Sequence, residues 1–582
     1  MWPFANAVHA HTASVMCSYQ RINGSYGCQN SKTLNGLLKT ELGFQGYVMS
    51  DWYATGSGVA SIEAGLDMDM PGSPLMGPES VAHMDENPFK GHYFGENVTQ
   101  AVKNGTVEEE RVDDMITRIM TPYYFLGQDQ DFPQIDPSSA VLNDFSPRER
   151  WMEGFMDWNM GGEESRDVRA DHGELIRKHA AASTILLKNE GGALPLKSVN
   201  SIAVFGNDAG DVTEGTLNQD PFEYGILSIG GGSGAGRFTY HVTPLEAVKD
   251  RVKKDNDKAL VQTWLNNTLI ANTDVSKLWN PTPPEACLVF LKGWAAEMDD
   301  RETLDLDWSA NDVVESVASR CNNTIVVTHS AGVNHLPFAD NANVTAILLA
   351  HYAGQEAGNS IADVLWGDVN PSGHLPYSIA YNVSDYNAPI TTHVNTTGED
   401  DWQSWFEEKL EIDYRYFDAH DIPVRYEFGY GLSYTTFNMS DLKIEFVGEI
   451  GEDSLTSAPE DRPTAPGGNP ALWETLYEAE VTVQNTGDVK GSAVPQLYLT
   501  FPDSTPEGTP VLQLRGFDKV EIEPSGSETA KFELMRRDIS YWDVVQQEWL
   551  IPSGEFKVSV GFSSRDLIEV ATFAPIAGNS TA

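Results

Sequence analysis

Short apolar runs recur along the first 130 residues, and the stretches between them carry helical spacing. SVMCSY (14–19) reads as a buried strand. In SKTLNGLLKTELGF (31–44) the residues Leu34, Leu37, Leu38 and Leu42 fall on one stripe, which predicts an amphipathic helix with Ser31 as its N-cap. GYVMSDW (46–52) is a second apolar strand that ends in polar residues, and AGLDMDMPG (64–72) is a third, stopped by Pro-Gly. Strand, helix, strand, short helix, strand is βα repetition, which builds a parallel sheet.

The pattern changes at residue 131. Residues 131–172 are rich in Pro, Asp and Ser without clear periodicity and read as a linker across a surface. From 173, ELIRKHAAASTILLKNE is a helix running into a strand. SIAVFG, CLVFLKG, NTIVVTH and VTAILLAH are short buried strands separated by loops and helical segments, so 173–380 is a second α/β domain. Residues 381–437 are aromatic and irregular. From 438 to 582 the pattern becomes alternation (YEAEVTVQNTG, AVPQLYLTF, TAKFELMRR, GEFKVSVGF), the mark of a β-sandwich, with SLTSAPEDRPTAPGGNP (454–470) as a loop inside it.

Composition narrows the partners. The 582 residues carry a formal charge of −47, which repels nucleic acid and the anionic face of a membrane. No apolar run is long enough to span a bilayer. Four cysteines are too few for a disulfide scaffold and lack zinc spacing. Proximity favours Cys17–Cys28, leaving Cys287–Cys321, although four cysteines allow three connectivities and free thiols are the alternative. Sequons begin at Asn23, Asn97, Asn104, Asn266, Asn322, Asn343, Asn382, Asn395, Asn438 and Asn579, which with the acidic composition leans towards secretion. MWPFANAVHAHTASVM at the start is no signal peptide, since it lacks a basic segment and its apolar stretch is broken by Asn and His.

Asp51 is the sharpest local feature. An acid at the end of a buried parallel strand sits where (β/α) barrels keep their active sites, and Trp52 beside it offers a flat surface for a sugar ring. Capping of the following turn is the plain structural reading. Asp67 and Asp69 read as structural, and the spacing of His9 and His11 is no metal signature. GGGSGAG matches a dinucleotide fingerprint at Gly230, Gly232 and Ala235, but an extended segment follows where that fingerprint needs a helix.

Several stretches resemble glycoside hydrolase family 3, in particular its fungal β-glucosidases. They are ASVMCSYQRINGSYGCQNSKTLNGLLKTELGFQGYVMSDW, AGLDMDMPG, RKHAAASTILLKNEGGALPL, ILSIGGGSGAGRFTYHVTPLEAV, AGQEAGNSIADVLWGDVNPSGHLPYS and RYEFGYGLSYTTF, in the family's order over nearly the whole chain. The resemblance implies a (β/α)8-type barrel, an α/β sandwich and a fibronectin type III-like β-sandwich. Residues 1–130 would be the C-terminal part of that barrel, entering near its sixth strand. Three strands cannot close a barrel of eight, so about five βα units of ~30 residues each would precede them.

The resemblance also implies a retaining two-carboxylate reaction with no cofactor and no metal. Asp51 matches the nucleophile and Glu297, in WAAEMDDRETLDLDW, the acid/base, with Met298 where the family usually has Gly. Such a pair works at a separation of ~5–5.5 Å. Tyr19 matches a tyrosine that approaches the nucleophile, Met16 and Trp52 line the glucose subsite, and Ser233 is a loop serine near the sugar. The implied substrate is a β-glucoside or cello-oligosaccharide, the implied location extracellular, and a homodimer is allowed. Two other readings stand beside β-glucosidase. One is a catalytically dead carbohydrate-binding remnant, because the family's aspartate, arginine and Lys-His pair that hold the glucose hydroxyls do not occur here. The other is a β-xylosidase of the same family, which the bulky Trp52 disfavours.

Overall fold

The computed structural model describes residues 1–70, 93–132, 169–213, 221–235, 238–279, 282–297, 299–388, 403–448 and 465–575. The chain forms two compact units: Met1–Ala170 with Ser457–Glu474, and Asp171–Thr456 with Thr475–Ala582. The linker predicted over 131–172 lies almost entirely outside the described residues, as does Met298.

In the first unit, α1 (Trp2–His9) leads into β1 (Ser14–Cys17), then α2 (Lys32–Glu41), β2 (Tyr47–Ser50), α3 (Val59–Glu63), α4 (Glu96–Lys103) and α5 (Glu109–Phe125). β1 and β2 pair in parallel, Ser14 opposite Tyr47 through Cys17 opposite Ser50. The predicted helix forms as a π-helix. Its wider turn keeps Leu34, Leu38 and Leu42, each four residues on, in the core, while Leu37 rotates to a half-buried place. Ser31 does not cap it. Asn30 does, its Oδ1 accepting from Thr33 N at 2.9 Å while its amide holds Ile22 O, because Asn30 is buried beside the turn and Ser31 faces water.

The third predicted strand is a single bridge, Met49 to Met68. Asp67 interrupts the ladder: its carboxylate accepts Val48 N (2.8 Å), an ion pair from Lys39 (2.9 Å) and another from Arg111 (2.7 Å). Burial pulls Lys39 down to about 8 against the opposing pull of Asp67, so the ammonium remains the main form at neutral pH. Arg111 also holds the carbonyls of Ile62 and Leu66. Asp67 is thus structural, as its sequence context indicates. Asp67→Asn leaves the buried Lys39 ammonium without its ion pair and Arg111 with Asp114 alone, and we expect a loss of about 3–5 kcal/mol from this unit's transition in urea unfolding. An unchanged transition would show that Asp67 carries no net stabilisation.

The tract predicted as a loop of the β-sandwich divides differently. Residues 465–474 pack on the first unit: Gly467 N donates to Leu42 O, and Trp473 stacks on His9 with centroids 3.9 Å apart. The apolar Trp473 finds burial there that a Pro/Gly loop on a sheet edge does not supply.

The second unit begins with α6 (His172–Ser183) and β3 (Ile185–Asn189), followed by β4 (Ser201–Phe205), α7 (Pro244–Asp255), β5 (Leu260–Trp264), β6 (Ala286–Gly293), α8 (Ala310–Ala318), β7 (Thr324–Ser330), β8 (Val344–Leu349) and α9 (Ala357–Leu365). The sheet order is β3-β8-β7-β6-β4-β5, parallel except for β3. β5 has no counterpart in the sequence reading, because LVQTW is exposed to half-buried and breaks the apolar pattern. The other strands are apolar on both faces because α8 covers one side and α7 and α9 the other. The chain steps from β4 out to β5 and returns to β6 on the far side of β4. That reversal leaves a crevice at the carboxyl ends of β4 and β6, where such sheets bind ligands.

Within 381–437, read as irregular from composition, the described residues form α10 (Tyr414–Ala419) and a strand at Val424–Tyr426 paired to Ile379–Ala380. The β-sandwich follows. One antiparallel sheet joins β9 (Phe437–Phe446), β10 (Thr475–Asn485) and a strand at Ser527–Met535; the other joins strands at Gln513–Phe517, Gln496–Thr500, Phe556–Gly561 and Leu567–Phe573. Alternate residues such as Val481, Val483, Leu497, Leu499, Val558 and Val560 fill the space between them. Two disulfides, Cys17–Cys28 and Cys287–Cys321, leave no free cysteine.

Candidate active site

Asp51 lies one residue past the carboxyl end of β2. Its amide donates to Cys17 O at 3.2 Å, which fixes the acid where the parallel pair ends. Asp51 Oδ1 accepts Trp52 N at 2.6 Å and faces the Tyr19 hydroxyl at 2.9 Å. That hydroxyl is also 2.9 Å from Trp52 O. Oδ2 takes no hydrogen bond among the described residues, so one oxygen is anchored and the other is left to react. The Cys17–Cys28 bridge closes the turn that carries Tyr19, and Gly27 fits beneath it because a β-carbon there would meet Ser18 O at 2.7 Å.

Tyr19, Trp52 and Met16 are exposed by 53%, 40% and 56%. Such exposure of large apolar side chains beside a carboxylate gives a surface on which a sugar ring can lie. Met16 pairs in register with Met49. Gly56 packs under Tyr26, whose ring atom would lie 2.6 Å from a β-carbon there.

Glu297 stands in the second unit, four residues beyond the carboxyl end of β6. It is exposed, and its Oε2 accepts Ser233 N at 2.6 Å. Hydrogen bonding from Ser233, through its hydroxyl and its backbone N–H, holds the Glu297 carboxyl below the usual carboxylate range. Gly232 makes the approach feasible. At φ +112° a β-carbon on it would fall 2.5 Å from Glu297 Cβ. The sequence singled out Glu297 and Ser233 separately; the fold joins them.

The loop that carries Ser233 is held by charged side chains the sequence reading did not single out. Buried Lys292 donates to Gly225 O at 2.8 Å and lies 4.0 Å from the Phe222 ring centroid. Asp208 accepts Leu227 N at 2.7 Å and meets His329 Nδ1 at 2.5 Å, both side chains fully buried. On the other side of Glu297, Trp294 donates its indole N–H to Asp299 and its backbone N–H to Asp307. A charged residue closing an otherwise apolar strand, as in CLVFLKG and NTIVVTH, is the signal that could have found them. The segment after Gly232 is not a helix N-terminus, since the next helix, α7, begins at Pro244.

Ser233→Ala removes one of the groups that stabilise the Glu297 anion. Its titration, followed by carboxyl carbon-13 shifts, is expected to move to higher pH. A titration that stays put would mean that the hydroxyl has no hold on Glu297.

Residues 1–121 match the N-terminal domain model of glycosyl hydrolase family 3, residues 184–434 its C-terminal domain model, and residues 493–564 a fibronectin type III-like domain model. The chain is 68% identical over 576 residues to "Probable beta-glucosidase G" of Aspergillus flavus, covering 99% of this chain and 69% of that protein. It is 66% identical to the protein of the same name from Aspergillus terreus, covering 100% of this chain and 69% of the relative. Among solved structures it resembles the beta-D-glucoside glucohydrolase of Trichoderma reesei (36% identity, TM-score 0.81, 98% of this chain and 74% of that one). It also resembles a family 3 beta-glucosidase of Neurospora crassa (35% identity, TM-score 0.84, 98% and 75%).

Proposed function

Because this chain belongs to glycosyl hydrolase family 3, we propose that it is a β-glucosidase that releases terminal non-reducing β-D-glucosyl residues with retention. The observation that carries the reading is Asp51: a carboxylate fixed through one oxygen at a strand end, beside exposed aromatic side chains, in a chain whose close relatives are named for this activity.

In the first step Asp51 Oδ2 attacks the anomeric carbon. The C1–O bond to the aglycone breaks, and protonated Glu297 gives its proton to the departing oxygen. In the second, Glu297 takes a proton from water as the water oxygen attacks C1 and the glucosyl–Asp51 ester bond breaks, which returns Asp51 to its anion. Tyr19 and the Trp52 N–H keep Asp51 oriented. Trp52 and Met16 supply apolar surface for the glucose ring. Ser233 holds Glu297 as an anion, the state it needs as base in the second step; serving as acid requires that hold to be released or offset by burial under the substrate.

Secretion is part of the proposal. Two disulfides suit an oxidising compartment. Seven sequon asparagines (Asn23, Asn97, Asn104, Asn266, Asn322, Asn382 and Asn438) are exposed, so a glycan would fit at most sites. No helix among the described residues is long and apolar enough to cross a membrane.

The test is an assay of the folded 582-residue chain on 4-nitrophenyl β-D-glucoside, with the first-formed sugar read by proton NMR. Release of β-glucose supports the reading. Faster release from the xyloside would make it a β-xylosidase, and a folded chain without turnover would make it a carbohydrate-binding relative.

A further inference from the structure

A cavity of about 910 Å³ lies in the second unit, and neither Asp51 nor Glu297 lines it. Its walls are the last two turns of α6, the start of β3, the turn after β8, the stretch at residues 372–376, and Lys519. The chain has 85 acidic and 38 basic residues, yet among the described residues no Asp or Glu lines this cavity while Lys178, His179, His351, His374 and Lys519 do. In so acidic a protein, a hollow whose charged side chains are lysines favours an anion.

The polar groups specify more than charge. Lys178 is exposed at the rim and has no ion pair among the described residues. Lys519 donates one proton to Ala182 O at 3.3 Å, which leaves two for a ligand. His351 Nδ1 faces Ser330 O at 3.3 Å and His374 Nδ1 faces Ser372 O at 3.2 Å. A carbonyl only accepts, so each proton sits on Nδ1 and each Nε2 is an acceptor. His351 Nε2 is sealed within the protein and takes no partner among the described residues, so the acceptor on the cavity wall is His374. Burial lowers both rings, His374 to about 4, so they stay neutral acceptors at physiological pH. The cavity therefore offers ammonium donors for carboxylate, the His374 imidazole as an acceptor for a hydroxyl group, and the Tyr352 ring with Pro376 for an apolar ring face. Its volume is of the size that holds a small organic ligand.

We propose that this cavity binds an acidic carbohydrate, a short chain of hexuronic-acid residues. The carboxylates meet Lys178 and Lys519, a hydroxyl donates to His374, and a pyranose face lies on Tyr352. The site is separate from the hydrolytic reading and stands or falls without it.

Calorimetric titration of the full chain with digalacturonate at low salt tests this. Saturable binding is expected, weakened about tenfold or more when the dimethyl ester removes the charge at the same shape, since each charge-assisted hydrogen bond is worth roughly tenfold. Lys178→Glu, on an exposed helix face, should weaken the acid by a similar factor without altering the melting curve; Lys519→Gln is the second variant. Equal affinity for acid and ester, absence of saturable heat, or unchanged affinity in both lysine variants overturns the proposal. Displacement by excess glucose would place the ligand in the hydrolytic site and overturn it equally.

Discussion

Asp51→Asn lowers turnover of 4-nitrophenyl β-D-glucoside by about 10⁴-fold or more, with little change in stability. The amide keeps the shape of the carboxylate, and its oxygen still accepts from Trp52 N and Tyr19. What it loses is the negative charge that attacks the anomeric carbon and forms the ester. A smaller substitution sharpens the test. In Asp51→Gly the space of the side chain admits azide, which attacks C1 from the vacated face as the phenolate leaves and yields α-glucosyl azide. A 2-fluoro-glucoside, which slows release of the intermediate, should label a peptide containing Asp51 in the parent chain. A label on another carboxylate, or full turnover in Asp51→Asn, removes Asp51 from the role.

Glu297→Ala separates the two steps by leaving group. Cellobiose needs a proton on its departing oxygen, so its hydrolysis should fall by about 10²–10⁴-fold, the usual contribution of a positioned acid. 2,4-Dinitrophenyl β-glucoside leaves without help, so its first step should be nearly unaffected and the glucosyl-enzyme should accumulate. Azide needs no base and attacks that intermediate from the face opposite Asp51, giving β-glucosyl azide. The two variants thus predict opposite anomers from one reagent. Equal losses on both substrates would argue that Glu297 is not the acid, and Asp299 or Glu302 in the same loop would be tested next.

Much of the architecture is legible because burial writes itself into local pattern. CLVFLKG, NTIVVTH and VTAILLAH are apolar throughout, and the structure packs them between two helical layers as β6, β7 and β8. Alternation in YEAEVTVQN becomes a sandwich strand with one face inward. The pattern fails where burial is partial or another group substitutes for the ladder. LVQTW is an edge strand whose mixed residues hide it, and AGLDMDMPG looks like a strand until Asp67 takes Val48 N in place of a carbonyl. Ser31 had the right chemistry for a cap, but Asn30 had the right place.

By itself the sequence determined the order and kind of the main layers, the strand-end position of Asp51, and the blocks that mark the family. Tertiary structure alone decided which groups meet: Ser233 with Glu297 across 64 residues, Lys39 and Arg111 with Asp67, Trp473 with His9, and lysines and histidines from four segments around one hollow. The reason is the reach of each signal. A periodic run of residues reports whether a segment is buried, and that is settled locally. Which donor faces which acceptor depends on the backbone path between them, and glycines such as Gly232, where only a missing side chain permits the approach, set that path.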